Sequence, residues 1–314
     1  MDRKILLSDL QTSVAEAYEK YRVYDTGEAT SDSRVESVDP NAFGIAVTLT
    51  DGTVIAAGDS GKAVPMTTVA KIPIMLTLLT QNNPQDIIQR SGMCKCGAGG
   101  CKHPAKPKVP VSAKGIRAMS MLQPTGDPDG KWDILIGNML GLTGSEVTLD
   151  DGFFQKMMGE NKSANTENLL ADAGYYLYDD AQKSIELYTK MMAMTASAEQ
   201  LSAMCATIAA DGYNPLTKAN IFDGNLAQRL VGFIAAKGPH KMAKPWLMLT
   251  GLPALSGYAG TIAGVLPGVM GIAAYSPVVN GAGISIRSAQ AIAEIMNRLE
   301  LSALSSARVT ISEK

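Results

Sequence analysis

Aromatic side chains make up only 5% of this 314-residue chain, histidine occurs twice, and no dense Lys/Arg block is present. With a net charge of -2 and few rings on which bases could stack, the chain carries no electrostatic footprint for a phosphate backbone, and a nucleic-acid partner is not expected. Met1-Asp2-Arg3-Lys4 leads into Ile5 to Tyr21, which alternates charged and apolar residues at helical spacing and lacks the continuous apolar core of a signal peptide. A cytoplasmic protein is expected. Charge is absent between Lys244 and Arg287, yet Pro245, Pro253, Pro267 and Pro277 cut this stretch into pieces shorter than the roughly 20 apolar residues of a membrane-spanning helix. It reads instead as buried strands, at Trp246 to Thr250 and Val269 to Tyr275, joined by Gly-rich turns. No internal repeat or low-complexity tract stands out, and 46% apolar content suits one large domain or two closely packed ones.

Cysteine is also sparse, with four in the chain, but three of them fall in Cys94-Lys95-Cys96-Gly97-Ala98-Gly99-Gly100-Cys101-Lys102-His103. Three thiols and an imidazole within ten residues suit tetrahedral zinc, and the glycines would let the loop turn back so that Cys94, Cys96, Cys101 and His103 converge. The spacing is not a paired C-x-x-C form, so a loop of reduced thiols is the other reading. Cys205, between Met204 and Ala206, reads as a packed core thiol.

Chemistry is most concentrated at Met66-Thr67-Thr68-Val69-Ala70-Lys71, where a hydroxyl precedes a lysine by three residues at an apparent helix start. Residues three apart share a helix face, and a desolvated lysine amine can take the proton of a neighbouring hydroxyl and make it a nucleophile. An N-capping Thr68 beside a solvated Lys71 is the ordinary alternative. Upstream, Thr50-Asp51-Gly52-Thr53 predicts a two-residue hairpin turn between Phe43 to Leu49 and Thr53 to Ala57. Pro73 is expected to kink the helix that follows Thr68.

The pattern predicts an α+β fold: an antiparallel sheet built from both chain ends, flanked by helices, with an inserted helical lobe. Residues 1–110 and 239–314 form the sheet domain in this reading, and 111–238 the helical domain. A cleft between the lobes would be the natural binding site.

Together with Gly251-Leu252-Pro253-Ala254-Leu255-Ser256-Gly257, the run Pro267-Gly268-Val269-Met270-Gly271-Ile272 and Ser276-Pro277, the order of these motifs resembles the serine-dependent glutaminase family, whose fold is that of the serine β-lactamases and penicillin-binding proteins. The likeness covers roughly residues 43 to 300. It implies that Thr68 stands where the family has its serine nucleophile, that Lys71 is its base, and that Tyr188 hydrogen-bonds at the nucleophile. Asn168 would bind the substrate carboxylate. The family's substrate-binding asparagine falls on Ser112, and its substrate-gripping glutamate near Glu160 or Asn161. Leu255 replaces a lysine, and the second catalytic tyrosine has no counterpart, counting back from Gly251 reaching His240. A core role for Tyr188, a capping or solvent-facing role for Asn168 and a surface-loop role for His240 remain alternatives.

Glutaminase-type hydrolysis of glutamine or a related small amide through an acyl-enzyme is therefore expected, with backbone N–H groups of Thr68 and Tyr258 as the oxyanion hole. No cofactor is required for that chemistry, although the Cys/His loop adds a possible structural zinc. The alternatives are a protein of this fold that has lost hydrolysis and serves as a binding partner, or a biosynthetic enzyme with a changed substrate. The resemblance also implies a homo-oligomer.

Overall fold

The computed structural model describes residues 3–24, 28–29, 39–90 and 109–313. Packing divides the chain into two units, the first comprising Met1–Val69, Leu140–Thr148 and Thr195–Lys314, the second Ala70–Met139 and Leu149–Met194.

One five-stranded antiparallel sheet, drawn from both chain ends as the sequence predicts, organises the first unit. Its strand order is Ala254–Ser256, Thr261–Leu266, Met270–Tyr275, Gly44–Leu49 and Val54–Gly58. Because side chains alternate across a strand, Ile45 and Val47 share a face with their cross-strand partners Ala274 and Ile272. That face joins Leu10, Val14 and Ala17 of the helix Leu7–Tyr21 and Ala291, Ile292 and Ile295 of the helix Ile286–Arg298 in one buried cluster. Each large aliphatic side chain buried there contributes roughly 1.5–3 kcal/mol.

The opposite face carries small residues for a reason of space. The helix Ala198–Ala209, opened by a reciprocal Ser197/Gln200 capping box, lies close enough that a Cβ on Gly271 would sit 2.1 Å from the Ser202 carbonyl oxygen. Thr48 and Ser202 meet across the contact with their hydroxyl oxygens 2.8 Å apart. Cys205 is the packed thiol expected of it, and burial pushes its pKa up to about 12.

Three local expectations are corrected. The hairpin after Leu49 is not a two-residue turn: Leu49 N–H donates to the Thr53 carbonyl (2.8 Å) and Gly52 N–H to the Leu49 carbonyl (3.0 Å), leaving three residues in the loop. Gly52, at φ 101°, takes the positive-φ position that such a loop needs. Trp246 to Thr250 belongs to a helix, Ala243–Thr250, rather than a strand. Trp246 and Thr250, four apart, are its buried residues and the Thr250 hydroxyl donates to the Trp246 carbonyl, whereas Met248 and Leu249 lie exposed. A short apolar run does not reveal its own period, and here Gly251 at φ 61° ends a helix. Pro73 does not break the helix Lys71–Gln81, because it occupies the first turn, where N–H groups have no intrahelical acceptor.

Helices make up most of the second unit. Ala113–Ser120 packs against both Lys71–Gln81 and Ala181–Met192, and Asp151–Ser163 also contacts Ala181–Met192. Within this unit Lys131, 2% exposed, is ion-paired with Asp179, which also accepts from the Gly126 and Asp180 N–H groups. Among the described residues no helix is long and apolar enough to cross a membrane.

Candidate functional site

Thr68 lies one turn earlier in the architecture than its spacing suggested. The strand Val64–Pro65, paired with Thr195 and Ala196, leads through Met66 into a 3-10 turn, Thr67–Ala70, and the α-helix begins only at Lys71. Val69 N–H donates to the Met66 carbonyl at 3.1 Å, closing that turn. Thr68 is 7% exposed and Lys71 is half-buried. Thr67, 2% exposed, holds φ 46°, a left-handed conformation that a β-branched residue adopts only where its surroundings impose it.

Those surroundings are the turn after Ala254–Ser256. Leu255 is fully buried in that strand, an aliphatic side chain where the resemblance calls for a lysine. Gly257 N–H donates to the Thr261 carbonyl (2.8 Å), and Tyr258 N–H donates to the Thr67 hydroxyl oxygen at 2.9 Å. Gly257 has no room for a side chain: a Cβ there would lie 2.5 Å from Thr261 Oγ1, 2.6 Å from Thr67 Oγ1 and 2.7 Å from the Met66 carbonyl oxygen. Tyr258 is 42% exposed, and its ring stacks on His240 with centroids 4.2 Å apart and planes 25° from parallel. His240 opens a short 3-10 turn, His240–Met242, at φ 47°. The first unit thus gathers His240, Tyr258 and Thr67, next in sequence to Thr68.

In the second unit Tyr188 is fully buried in the helix Ala181–Met192, its ring filling the space that Gly115 leaves; a Cβ on Gly115 would lie 2.2 Å from that ring. Ser112 caps the helix Ala113–Ser120, its hydroxyl oxygen accepting from Gly115 N–H at 3.2 Å. Glu160 and Asn168 are exposed, on the helices Asp151–Ser163 and Thr166–Asp172. Asn161, the other candidate for the glutamate position, is 4% exposed and committed within the unit: its amide donates to the Thr189 hydroxyl (3.2 Å) and accepts from the Thr166 hydroxyl (3.0 Å). Asn161 also lines a groove of about 480 Å³ with Gln155, Asn165, Thr166 and Gln182, to which neither Glu160 nor Asn168 contributes. Sequence reasoning missed Thr67 and Thr261. The sole signal for Thr67 is the doubled threonine at 67–68, since a left-handed φ leaves no trace in residue type, and Thr261 carries none.

The proposed ligands Cys94, Cys96, Cys101 and His103 lie outside the described residues. Among the described residues, no group of three or more His, Cys, Asp or Glu side chains is arranged to hold a metal ion.

Comparison with known proteins gives these residues a context. A family model described as Glutaminase matches residues 29–304. A glutaminase of Bacteroides fragilis is 33% identical over 322 residues, covering 99% of each chain, and one of Bacteroides thetaiotaomicron is 34% identical, covering 97% of this chain and 98% of the relative. Among solved structures, a probable glutaminase, YbaS, superposes with TM-score 0.84 at 26% identity, covering 96% of this chain and 100% of that one. A Bacillus subtilis glutaminase, YbgJ, captured in covalent complex with 5-oxo-L-norleucine, shares the fold at TM-score 0.80 and 20% identity, over 93% of this chain and 99% of its own. A match that runs through nearly the whole sequence, joined to relatives a third identical from end to end, places this chain in the glutaminase family.

Proposed function

We propose that the protein hydrolyses glutamine or a closely related small amide through an acyl-enzyme on Thr68. The Thr68 oxygen attacks the carboxamide carbon while its proton passes to Lys71, three residues on. The carbonyl π electrons move to oxygen, and that oxyanion is met by the N–H groups of Thr68 and Tyr258. Collapse of the intermediate breaks the C–N bond, the nitrogen leaving as ammonia with the proton from Lys71. Water then hydrolyses the ester to the free acid and restores Thr68. Tyr188 orients the proton exchange, His240 stands in for the family's second tyrosine, and Ser112, Asn168 and Glu160 hold the substrate.

One observation carries this reading: the N–H of Tyr258, which the reading assigns to the oxyanion, reaches the residue next to Thr68, donating to the Thr67 hydroxyl oxygen at 2.9 Å. Ammonia release from glutamine tests it. So does incubation with 6-diazo-5-oxo-L-norleucine, the reagent that formed the covalent complex of the B. subtilis glutaminase; a single adduct mapping to Thr68 supports the reading. Leu255, buried where the resemblance calls for a lysine, favours a second reading, a binding protein of this fold. Calorimetric binding of an amino acid without ammonia release would establish that instead.

We also propose that the Cys/His loop binds structural zinc through Cys94, Cys96, Cys101 and His103. The cluster of three thiols and an imidazole within ten residues supports it. Protein purified without chelator is expected to carry one zinc per chain and to lose several degrees of Tm when the metal is stripped; absence of metal by elemental analysis, with an unchanged Tm, rules it out. Self-association in the cytoplasm is the expected state, supported by exposed Met248 (86%) and Leu249 (67%) on one helix. Sedimentation equilibrium at the monomer mass would overturn it.

A further inference from the structure

We propose that Thr67 is a positioning residue that occupies the oxyanion donor in the resting protein and must yield it to the substrate, with Thr261 as the acceptor that receives the displaced hydroxyl. The proposal rests on the catalytic reading of Thr68. Tyr258 N–H, which that reading assigns to the oxyanion, already donates to Thr67 Oγ1 at 2.9 Å. A substrate oxygen and the Thr67 oxygen cannot both lie along one N–H, so binding in the reactive pose displaces the hydroxyl.

The surroundings supply both the reason it sits there and a place for it to go. Thr67 is held at φ 46° and 2% exposed, directly before Thr68, so its side chain is presented by a strained backbone. Glycine at 257 is what admits it, because a Cβ at that position would meet Thr67 Oγ1 and Thr261 Oγ1 within 2.6 Å. Both oxygens lie within that distance of one point, so they are no more than about 5.2 Å apart, and Thr67 χ1 is the torsion that carries one relative to the other. Thr261 is fully buried, and its hydroxyl makes no hydrogen bond among the described residues. An unsatisfied hydroxyl in the interior is costly and is itself a standing acceptor for Thr67 once Tyr258 N–H is taken.

Only interactions that improve between the free enzyme and the transition state accelerate turnover, so a bond that must first be surrendered slows it. Thr67→Val, which keeps the β-branched shape and removes the hydroxyl, is expected to raise kcat/KM for ammonia release about fivefold, the worth of one neutral hydrogen bond. It should also increase hydrogen exchange at the Tyr258 amide. Thr67→Ser returns both quantities toward their wild-type values. Thr261→Val, lacking the receiving oxygen, lowers kcat/KM about threefold, and that loss disappears in the Thr67→Val background. If Thr67→Val instead reduces kcat/KM, and Thr68→Ala abolishes turnover, the bond merely pins the 258 turn and this proposal falls while the catalytic reading stands. Should Thr68→Ala release ammonia at the wild-type rate, the catalytic reading falls and takes this proposal with it.

Discussion

Ammonia release from glutamine falls by about a thousandfold or more when Thr68 is replaced by alanine, because the substitution removes the only atom proposed to form the ester, and loss of a nucleophile costs at least that much in enzymes of this kind. The protein should survive the change. Thr68 sits on a 3-10 turn, and trading its hydroxyl and methyl for two hydrogens leaves a void too small to unfold the unit, so circular dichroism and Tm should stay near those of the wild type. Thr68→Ser gives the prediction its sign. Threonine's extra methyl restricts χ1 and crowds the attacking oxygen, so serine should release ammonia faster than the native residue. Retained activity in the alanine variant would remove Thr68 from the mechanism. A serine variant slower than wild type would show that the methyl is used for positioning.

How far this site could be read in the sequence depended on which physical term decides each residue's place. Thr68 and Tyr258 enter the proposed site through the order of their motifs alone, whereas the sheet drawn from both chain ends followed from where the strand-like runs fall. The large-small alternation of Gly44–Leu49, with Ile45, Val47 and Leu49 on one face, and the buried stripes of Leu7–Tyr21 and Ile286–Arg298 are periodicities, which sequence displays directly. The strands Ala254–Ser256 and Thr261–Leu266 were less visible, since the first is three residues long and the Gly-rich run around both displays no period of its own. Trp246 to Thr250 failed because so short a run cannot display a period, and the helix buries only Trp246 and Thr250. Asn161 shows a different limit: a buried amide and an exposed one look alike until Thr166 and Thr189 are seen to claim it. Thr67 is the extreme case, because its role depends on a backbone angle and on a partner 191 residues away.

The largest stability effect is expected far from the nucleophile, at Lys131 and Asp179 in the second unit. Lys131 is 2% exposed and Asp179 12%, so each charge is desolvated and depends on the other. Burial alone would push the Asp179 carboxyl up. The Lys131 ammonium and the Gly126 and Asp180 N–H groups outweigh it and hold the carboxyl below its ordinary value of 3.8. Asp179→Asn keeps an acceptor but strands the ammonium, and should cost about 3–5 kcal/mol at neutral pH. Trp132 reports the loss by fluorescence in urea, because it adjoins Lys131 and carries the Lys190 ammonium 3.9 Å from its ring centroid. Since the folded carboxyl is the stronger acid, its contribution is complete above the unfolded value of 3.8 and drains away as pH falls through the lower folded one. Wild-type stability should therefore decline with acid over that interval, with the part of the slope due to Asp179 missing from the asparagine variant. Pairing Asp179→Leu with Lys131→Met should recover most of the loss, because two apolar groups leave no buried charge behind. A double variant as unstable as Asp179→Asn would mean that the N–H groups of Gly126 and Asp180, rather than the ammonium, are what the carboxylate is there to satisfy.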